Sequence, residues 1–225
     1  DFVKPLNHYV SANTADKSWN LVGNPYQCYY NNHLMNFTAP ITLWNVNNKS
    51  YSAYSLVDDD VAIQPNEAFF VQCPDALNSI SFPVAGKQFD NIITTQNPIA
   101  ARKLGNATDR ELVNLTITDG EHTDHTRIVY NDAASLMYEM ECDASKFFSL
   151  DASIPQIYTL DADENQYAIN ERPLSNGIVP VGFVAPQAGE YTIALQDDVQ
   201  DVYLVDHVEN ACVNLSQGSY TFSAK

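Results

Sequence analysis

Leu112-Val113-Asn114-Leu115-Thr116-Ile117, then Asp119-Gly120-Glu121-His122, then Thr126-Arg127-Ile128-Val129-Tyr130, is the stretch on which the fold turns. Side chains alternate across an extended strand, so the apolar residues at 113, 115 and 117 lie on one side and the polar Asn114 and Thr116 on the other. The Asp-Gly pair in the turn supplies a residue that tolerates positive φ, and the second run pairs back on the first. The reading is an antiparallel hairpin with one buried face.

The same grammar extends in both directions. Residues 41–46 and 51–56 flank Asn47-Asn48-Lys49-Ser50 as a second hairpin. Residues 19–22 form a strand that stops at Gly23-Asn24-Pro25, where Asn24 is expected to cap the turn through its side chain, and 68–72 form a compact apolar strand ended by Pro74. Trp19, with its large apolar area, is expected to anchor the core of the first sheet. Further strands read at 80–82, 156–160, 166–170, 179–183, 189–195, 202–205 and 219–223. Segments 133–139 and 144–148 are expected as short helical turns, with Asp143 capping free amides and Lys146 pairing nearby. No segment carries a long helical spacing of apolar residues. The fold class is therefore all-β: an antiparallel β-sandwich or jelly roll, two lobes in tandem, with only short helical turns. Periodicity lapses between 95 and 106, which divides the chain into an N-terminal β-sandwich domain at 1–95, a linker or mobile loop at 96–108 and a C-terminal β-sandwich domain at 109–225.

The balance of eleven Lys plus Arg against 28 Asp plus Glu leaves a formal charge of −17, which repels phosphate backbones and anionic membrane surfaces. Nucleic acid is excluded as an expected partner. No apolar run approaches the roughly 18 residues of a membrane-spanning helix. Asp1-Phe2-Val3-Lys4-Pro5 lacks the basic start and apolar run of a leader, so a mature or excised form of an exported chain is expected. Cys28, Cys73, Cys142 and Cys212 have no zinc-ligand spacing. They either form two disulfides, with Cys28–Cys73 and Cys142–Cys212 keeping each bridge within one half, or stay as free buried thiols.

Three clusters carry the chemistry worth weighing. Trp44, Tyr51 and Tyr54 sit around a hairpin and are candidates for stacking on sugar rings; Tyr29 and Tyr30 are a second aromatic pair. Asp58-Asp59-Asp60 concentrates three carboxylates before a buried strand and is the candidate calcium site, although no cofactor is otherwise expected. Glu121-His122-Thr123-Asp124-His125 offers metal-ligand types, but a hairpin does not present them on one helical face. Asp161-Ala162-Asp163-Glu164-Asn165 imitates the start of a calcium loop, yet Gln166 stands where the sharp-turn glycine belongs, and it reads as a β-turn. No nucleophile, base and acid gather in a catalytic pattern, so a non-enzyme is expected; a glycoside-active enzyme is a remote alternative, because carboxylate separation is spatial.

Trp19-Asn20-Leu21-Val22-Gly23-Asn24-Pro25-Tyr26, followed by Leu43-Trp44-Asn45, Tyr51 and Ile63-Gln64-Pro65-Asn66-Glu67-Ala68-Phe69-Phe70-Val71, resembles the GWNLVGNPYP-type pattern in C-terminal regions of large secreted or surface proteins of Bacteroidetes. Pro155-Gln156-Ile157-Tyr158, Tyr167-Ala168-Ile169-Asn170, Val179-Pro180-Val181-Gly182-Phe183 and Val202-Tyr203-Leu204-Val205-Asp206 are similar to the β-rich region that follows it. Glu67-Ala68 stands where the pattern has Gln-Gly, and a sorting signal that tends to follow Tyr220-Thr221-Phe222 in such proteins is not found before Lys225. The resemblance implies an extracellular or outer-membrane-associated, adhesin-like interaction or scaffold module that meets a protein or glycan at a cell surface. It carries over no catalytic residue. A carbohydrate-binding module using exposed aromatics is the alternative, decided by whether those rings are coplanar and open to solvent.

Overall fold

The computed structural model describes residues 1–92, 110–174 and 177–225. Within them the first half carries β1 (Phe2–Pro5), β2 (Trp19–Gly23), β3 (Tyr29–Asn31), β4 (Ile41–Asn45), β5 (Ser50–Tyr54), β6 (Ala62–Ile63), β7 (Ala68–Gln72), β8 (Ser79–Phe82) and β9 (Lys87–Gln88). The second half carries β10 (Glu111–Thr118), β11 (Thr123–Tyr130), β12 (Ala144–Ser145), β13 (Gln156–Leu160), β14 (Gln166–Arg172), β15 (Val181–Val184), β16 (Gly189–Leu195), β17 (Tyr203–Asp206), β18 (Ala211–Asn214) and β19 (Tyr220–Ala224). The protein is all-β, built of several largely antiparallel sheets, as its alternating pattern requires. The expected 96–108 linker lies wholly within 93–109, outside the described residues.

The first half stacks one four-stranded sheet, in the order β2-β7-β4-β5, against the small sheets β1-β8 and β6-β3-β9. Between them lies a core of Val22, Tyr30, Phe37, Ile41, Leu43, Ile63, Phe69, Val71, Ile80 and Phe82. Each fully buried side chain of this size contributes about 1.5–3 kcal/mol. Asn24 closes the β2 turn as expected: its Oδ1 accepts from the Tyr26 amide at 3.0 Å and its Nδ2 donates to the carbonyls of Cys28 and Gln64 at 2.9 Å each. Ahead of Glu67-Ala68, Asn66 takes the left-handed backbone (φ 58°) and the Glu67 carboxylate accepts from the Gln64 amide at 2.8 Å, so the turn closes without glycine.

In the second half β15-β13-β14-β11-β10-β16-β19 form one long sheet, with β12 joined to β14 and β17-β18 as a separate hairpin. The deciding hairpin forms as expected, with Leu115 opposite Thr126 and Val113 opposite Ile128. One pair, β11 with β14, is parallel. The sheet rolls on itself: Phe183 from edge strand β15 meets Phe222 from edge strand β19 at 4.8 Å between ring centres. Val113, Leu115, Ile117, Ile128, Ile157, Tyr191 and Ile193 fill the interior.

Two short segments differ from expectation. Ala144–Ser145 is a strand, because its backbone pairs with β14 opposite Ile169 and Tyr167. Residues 133–139 make turns in which Asn131 Oδ1 accepts from the Ala133 amide at 3.0 Å. The helical turns that do occur are 3-10 turns at Thr14–Asp16, Asn32–Leu34 and Val84–Gly86. Among the described residues no helix is long and apolar enough to cross a membrane.

Gly86 fits only because it has no Cβ: one added there would lie 2.3 Å from the Tyr30 ring. That ring cannot yield, since it is fully buried and its hydroxyl donates to the carbonyls of Leu34 and Pro83 at 3.2 and 3.0 Å. Gly86→Ala is expected to destabilise the protein by about 1–3 kcal/mol through overpacking, read as a lowered midpoint in urea titration with an unchanged slope.

Candidate functional site: the seam between the two halves

Trp44, Tyr51, Tyr54 and Asp58–Asp60 lie at or beside the contact between the two halves, whereas the second aromatic pair, Tyr29 and Tyr30, lies on β3 with Tyr30 fully buried in the first core. Alternation on β4 and β5 separates the aromatics. Trp44 and Tyr51 are direct partners on the outer face of the four-stranded sheet, whereas Tyr54, opposite Ile41, points into the first core. Burial pushes the Tyr54 hydroxyl above its ordinary value. Trp44 and Tyr51 meet edge-to-face at 4.9 Å, and Phe147 from the second half enters beside them. Its ring lies 4.7 Å from Trp19, 5.1 Å from Phe70 and 5.6 Å from Tyr51. Trp19 is thus a seam residue rather than an anchor of the first core, its indole N–H donating to the Ala15 carbonyl at 3.0 Å. These rings are tilted or perpendicular to one another, packed as a cluster and not as a flat platform.

Next to the aromatic cluster runs a polar one. Tyr138 donates to Gln72 Oε1 at 2.6 Å, and Gln72 donates in turn to the carbonyls of Thr14 and Lys17 at 2.7 and 2.8 Å. Ala53 of β5 packs with Val129, Ala144, Ala168 and Ile169. Ala15 packs with Tyr138, Met140 and Tyr167.

Asp58, Asp59 and Asp60 turn to three different bases. Asp59 receives both outer nitrogens of Arg127 at 2.7 Å each, a two-pronged pairing that matches the guanidinium fork, and its Oδ2 also accepts from the Ser55 amide at 2.7 Å. Arg110 bridges Asp58 and Glu171 at 2.6 Å each, and Glu171 also accepts from Asn131 at 2.7 Å. Asp60 sits 2.6 Å from His33 Nε2. Burial alone would pull both guanidinium groups down; the carboxylates facing them hold Arg110 and Arg127 above the ordinary value instead. Asp58 Oδ2 and Arg110 Nε are buried without a hydrogen-bond partner. Asp58 and Asp59 form ion pairs that join the halves, whereas Asp60 stays with His33 inside the first half, and among the described residues no group of three or more His, Cys, Asp or Glu gathers to hold a metal.

Behind this lattice, Asp143 accepts from the amides of Glu139 and of Glu171 on β14 at 2.7 Å each; it ties a turn to a strand instead of capping the helical turn expected at 144–148, which is not formed. Its burial pushes the carboxyl well above the usual range. His122 lies with Asp119 in the tip of the deciding hairpin, while Asp124 is buried two residues on. Asp161 accepts from Asn165 and Tyr167 at 2.7 and 2.6 Å, which makes 161–165 the expected turn. None of the four cysteines is joined in a disulfide: Cys73 and Cys142 are buried, Cys28 is half-buried and Cys212 is exposed. An open depression by the hairpin tip is lined by Asp119, Glu121, Glu190 and Tyr191; of these only Glu121 belongs to a cluster weighed for a ligand.

Residues 27–225 match a family described only as a domain of unknown function, DUF8693, and the chain belongs to it. No curated protein and no solved structure matches the chain.

The seam residues missed from sequence are Arg110, Arg127, Phe147, Gln72 and Tyr138. Arg127 carried a signal, being a long cation inside a strand of a chain poor in cations; the others carried none. Phe147→Ala is expected to cost about 1–3 kcal/mol, since its ring is half-buried, and Arg127→Ala about 2–3 kcal/mol by leaving the Asp59 carboxylate without its base. Denaturant titration followed by tryptophan fluorescence reads both, since Trp19 is in contact with Phe147.

Proposed function

We propose that this protein is a non-catalytic, exported β module serving as an adhesin-like interaction or scaffold element of a cell-surface protein. The observation that carries this reading is the seam: the residue types that suggested a ligand site are engaged by side chains from the opposite half of the same chain. Tyr51, with Trp44 edge-on to it and Phe70 beside it, packs against Phe147 of the second half, and Asp58 and Asp59 are taken up by the second half's arginines. Such a contact favours two β lobes held as one rigid body, the property a spacer or display frame needs. The resemblance to surface proteins and the strongly acidic, nucleic-acid-repelling composition support an exported setting. Partners are then met by loops and strand edges.

Two measurements test this. Calorimetry of the whole chain is expected to show one cooperative transition, because unfolding either half exposes the aromatic cluster and orphans the buried charges; two well-separated transitions would contradict the rigid frame. A glycan array, run with and without calcium, is expected to show no binding that Trp44→Ala abolishes. Binding lost in that variant would transfer the protein to the carbohydrate-binding class.

A further inference from the structure

The interior of the second half holds a charged pair that the seam does not use. Lys146 and Asp124 are buried essentially completely, with side-chain exposures of 1% and 0%, and Lys146 Nζ lies 2.5 Å from Asp124 Oδ2. That oxygen also accepts from the Ile157 amide at 2.8 Å, and Nζ donates to the His125 carbonyl at 3.2 Å. The other carboxylate oxygen, Asp124 Oδ1, is buried with no partner at all. An ion pair taken fully out of water is expensive unless every lone pair is satisfied, and here one is not.

We propose that Lys146 and Asp124 condense into an intramolecular isopeptide bond, formed once the second half has folded around them. The lone pair of Nζ attacks Asp124 Cγ; the Nζ–Cγ bond forms and the Cγ–Oδ1 bond breaks. Nζ begins as an ammonium and ends as an amide N–H, and the two protons it gives up leave with Oδ1 as water. The charges cancel, nothing is oxidised or reduced, and no co-reactant is needed.

The surroundings fit the product better than the starting pair. The Ile157 amide is already aimed at Oδ2, where negative charge builds as the carbonyl is attacked and where the amide oxygen remains. The His125 carbonyl accepts the single N–H that remains on Nζ. Oδ1, the atom without a partner, is the atom that departs. Burial also lowers the Lys146 pKa, although Asp124 opposes this, which favours the neutral amine that acts as nucleophile. The backbone holds both groups in reach, since Asp124 lies on β11 and the Lys146 amide donates to the Gln166 carbonyl at 2.8 Å, so the reaction is unimolecular. The bond would close a loop between positions 22 residues apart and would survive denaturation.

The intact mass of the purified chain, measured after denaturation and reduction, is expected to fall one water below the mass of its sequence. Proteolysis is expected to release a branched peptide that joins the segments around Asp124 and Lys146. Lys146→Arg and Asp124→Ala each restore the full mass of their own sequences. Asp124→Asn, if it reacts, loses ammonia instead and arrives at the same final mass as the linked wild type. If the variants fail to fold, the wild-type mass and branched peptide decide alone. Full sequence mass in the folded wild type overturns the proposal. So does a missing water that maps to Asp119-Gly120, where a succinimide gives the same mass without a branch. None of these outcomes bears on the cell-surface reading, which stands or falls separately.

Discussion

Arg127 gripping Asp59 with both arms is the contact on which the arrangement of the two halves depends. It joins a strand in the middle of the second sheet to the loop that leaves the last strand of the first, and a fork-to-carboxylate pairing tolerates little change of angle. Arg110 repeats the device between Asp58 and Glu171. The chain has only eleven cations, four of them arginines, and spends two of those arginines here. In a molecule with a formal charge of −17, cations buried against carboxylates leave the remaining surface more uniformly negative, which keeps separate copies apart while the halves of one copy are drawn together.

The aromatic cluster supplies what the ion pairs do not. A buried ion pair is weak evidence of net stability, because desolvation offsets much of the attraction. Phe147 among Trp19, Tyr51 and Phe70 removes apolar area from water and carries no such penalty. Packing therefore accounts for the strength of the seam, and the arginines account for its registry. The division matches the strand patterns: Ala68-Phe69-Phe70-Val71-Gln72 is apolar without alternation because Phe69 and Val71 face the first core while Phe70 and Gln72 face the seam.

Much of the fold could be read from the residues, since period-two alternation and turn residues are local properties. The 113–117 and 126–130 hairpin, the 41–46 and 51–56 hairpin and the strand at 189–195 formed where they were expected. Weakly patterned strands such as Ala211–Asn214, or Phe2–Pro5 with its proline, are defined by their neighbours and so were not legible. The same holds for Ala144–Ser145, which pairing with β14 makes a strand. The nominated sites misled for a related reason. Aromatic and acidic residues look identical in sequence whether a ligand or another part of the chain completes them. One clue did lie in the alternation: Tyr51 and Tyr54 are three apart on a strand and so belong to opposite faces. Asp124 is in phase with the inward Thr126 and Ile128, which marks it as a carboxylate directed at the core.

A sheet used on both faces also restricts where this protein can meet anything else. The central strands β7 and β4 have the first core on one side and the seam on the other, so neither of their faces is left for a flat ligand. The second sheet closes its own edges through Phe183 and Phe222 and fills its inner face. Among the described residues, apolar side chains remain open to solvent on the outer strand surfaces around β15 and on the β17-β18 hairpin, where Phe183, Tyr203 and Val205 are each about half exposed.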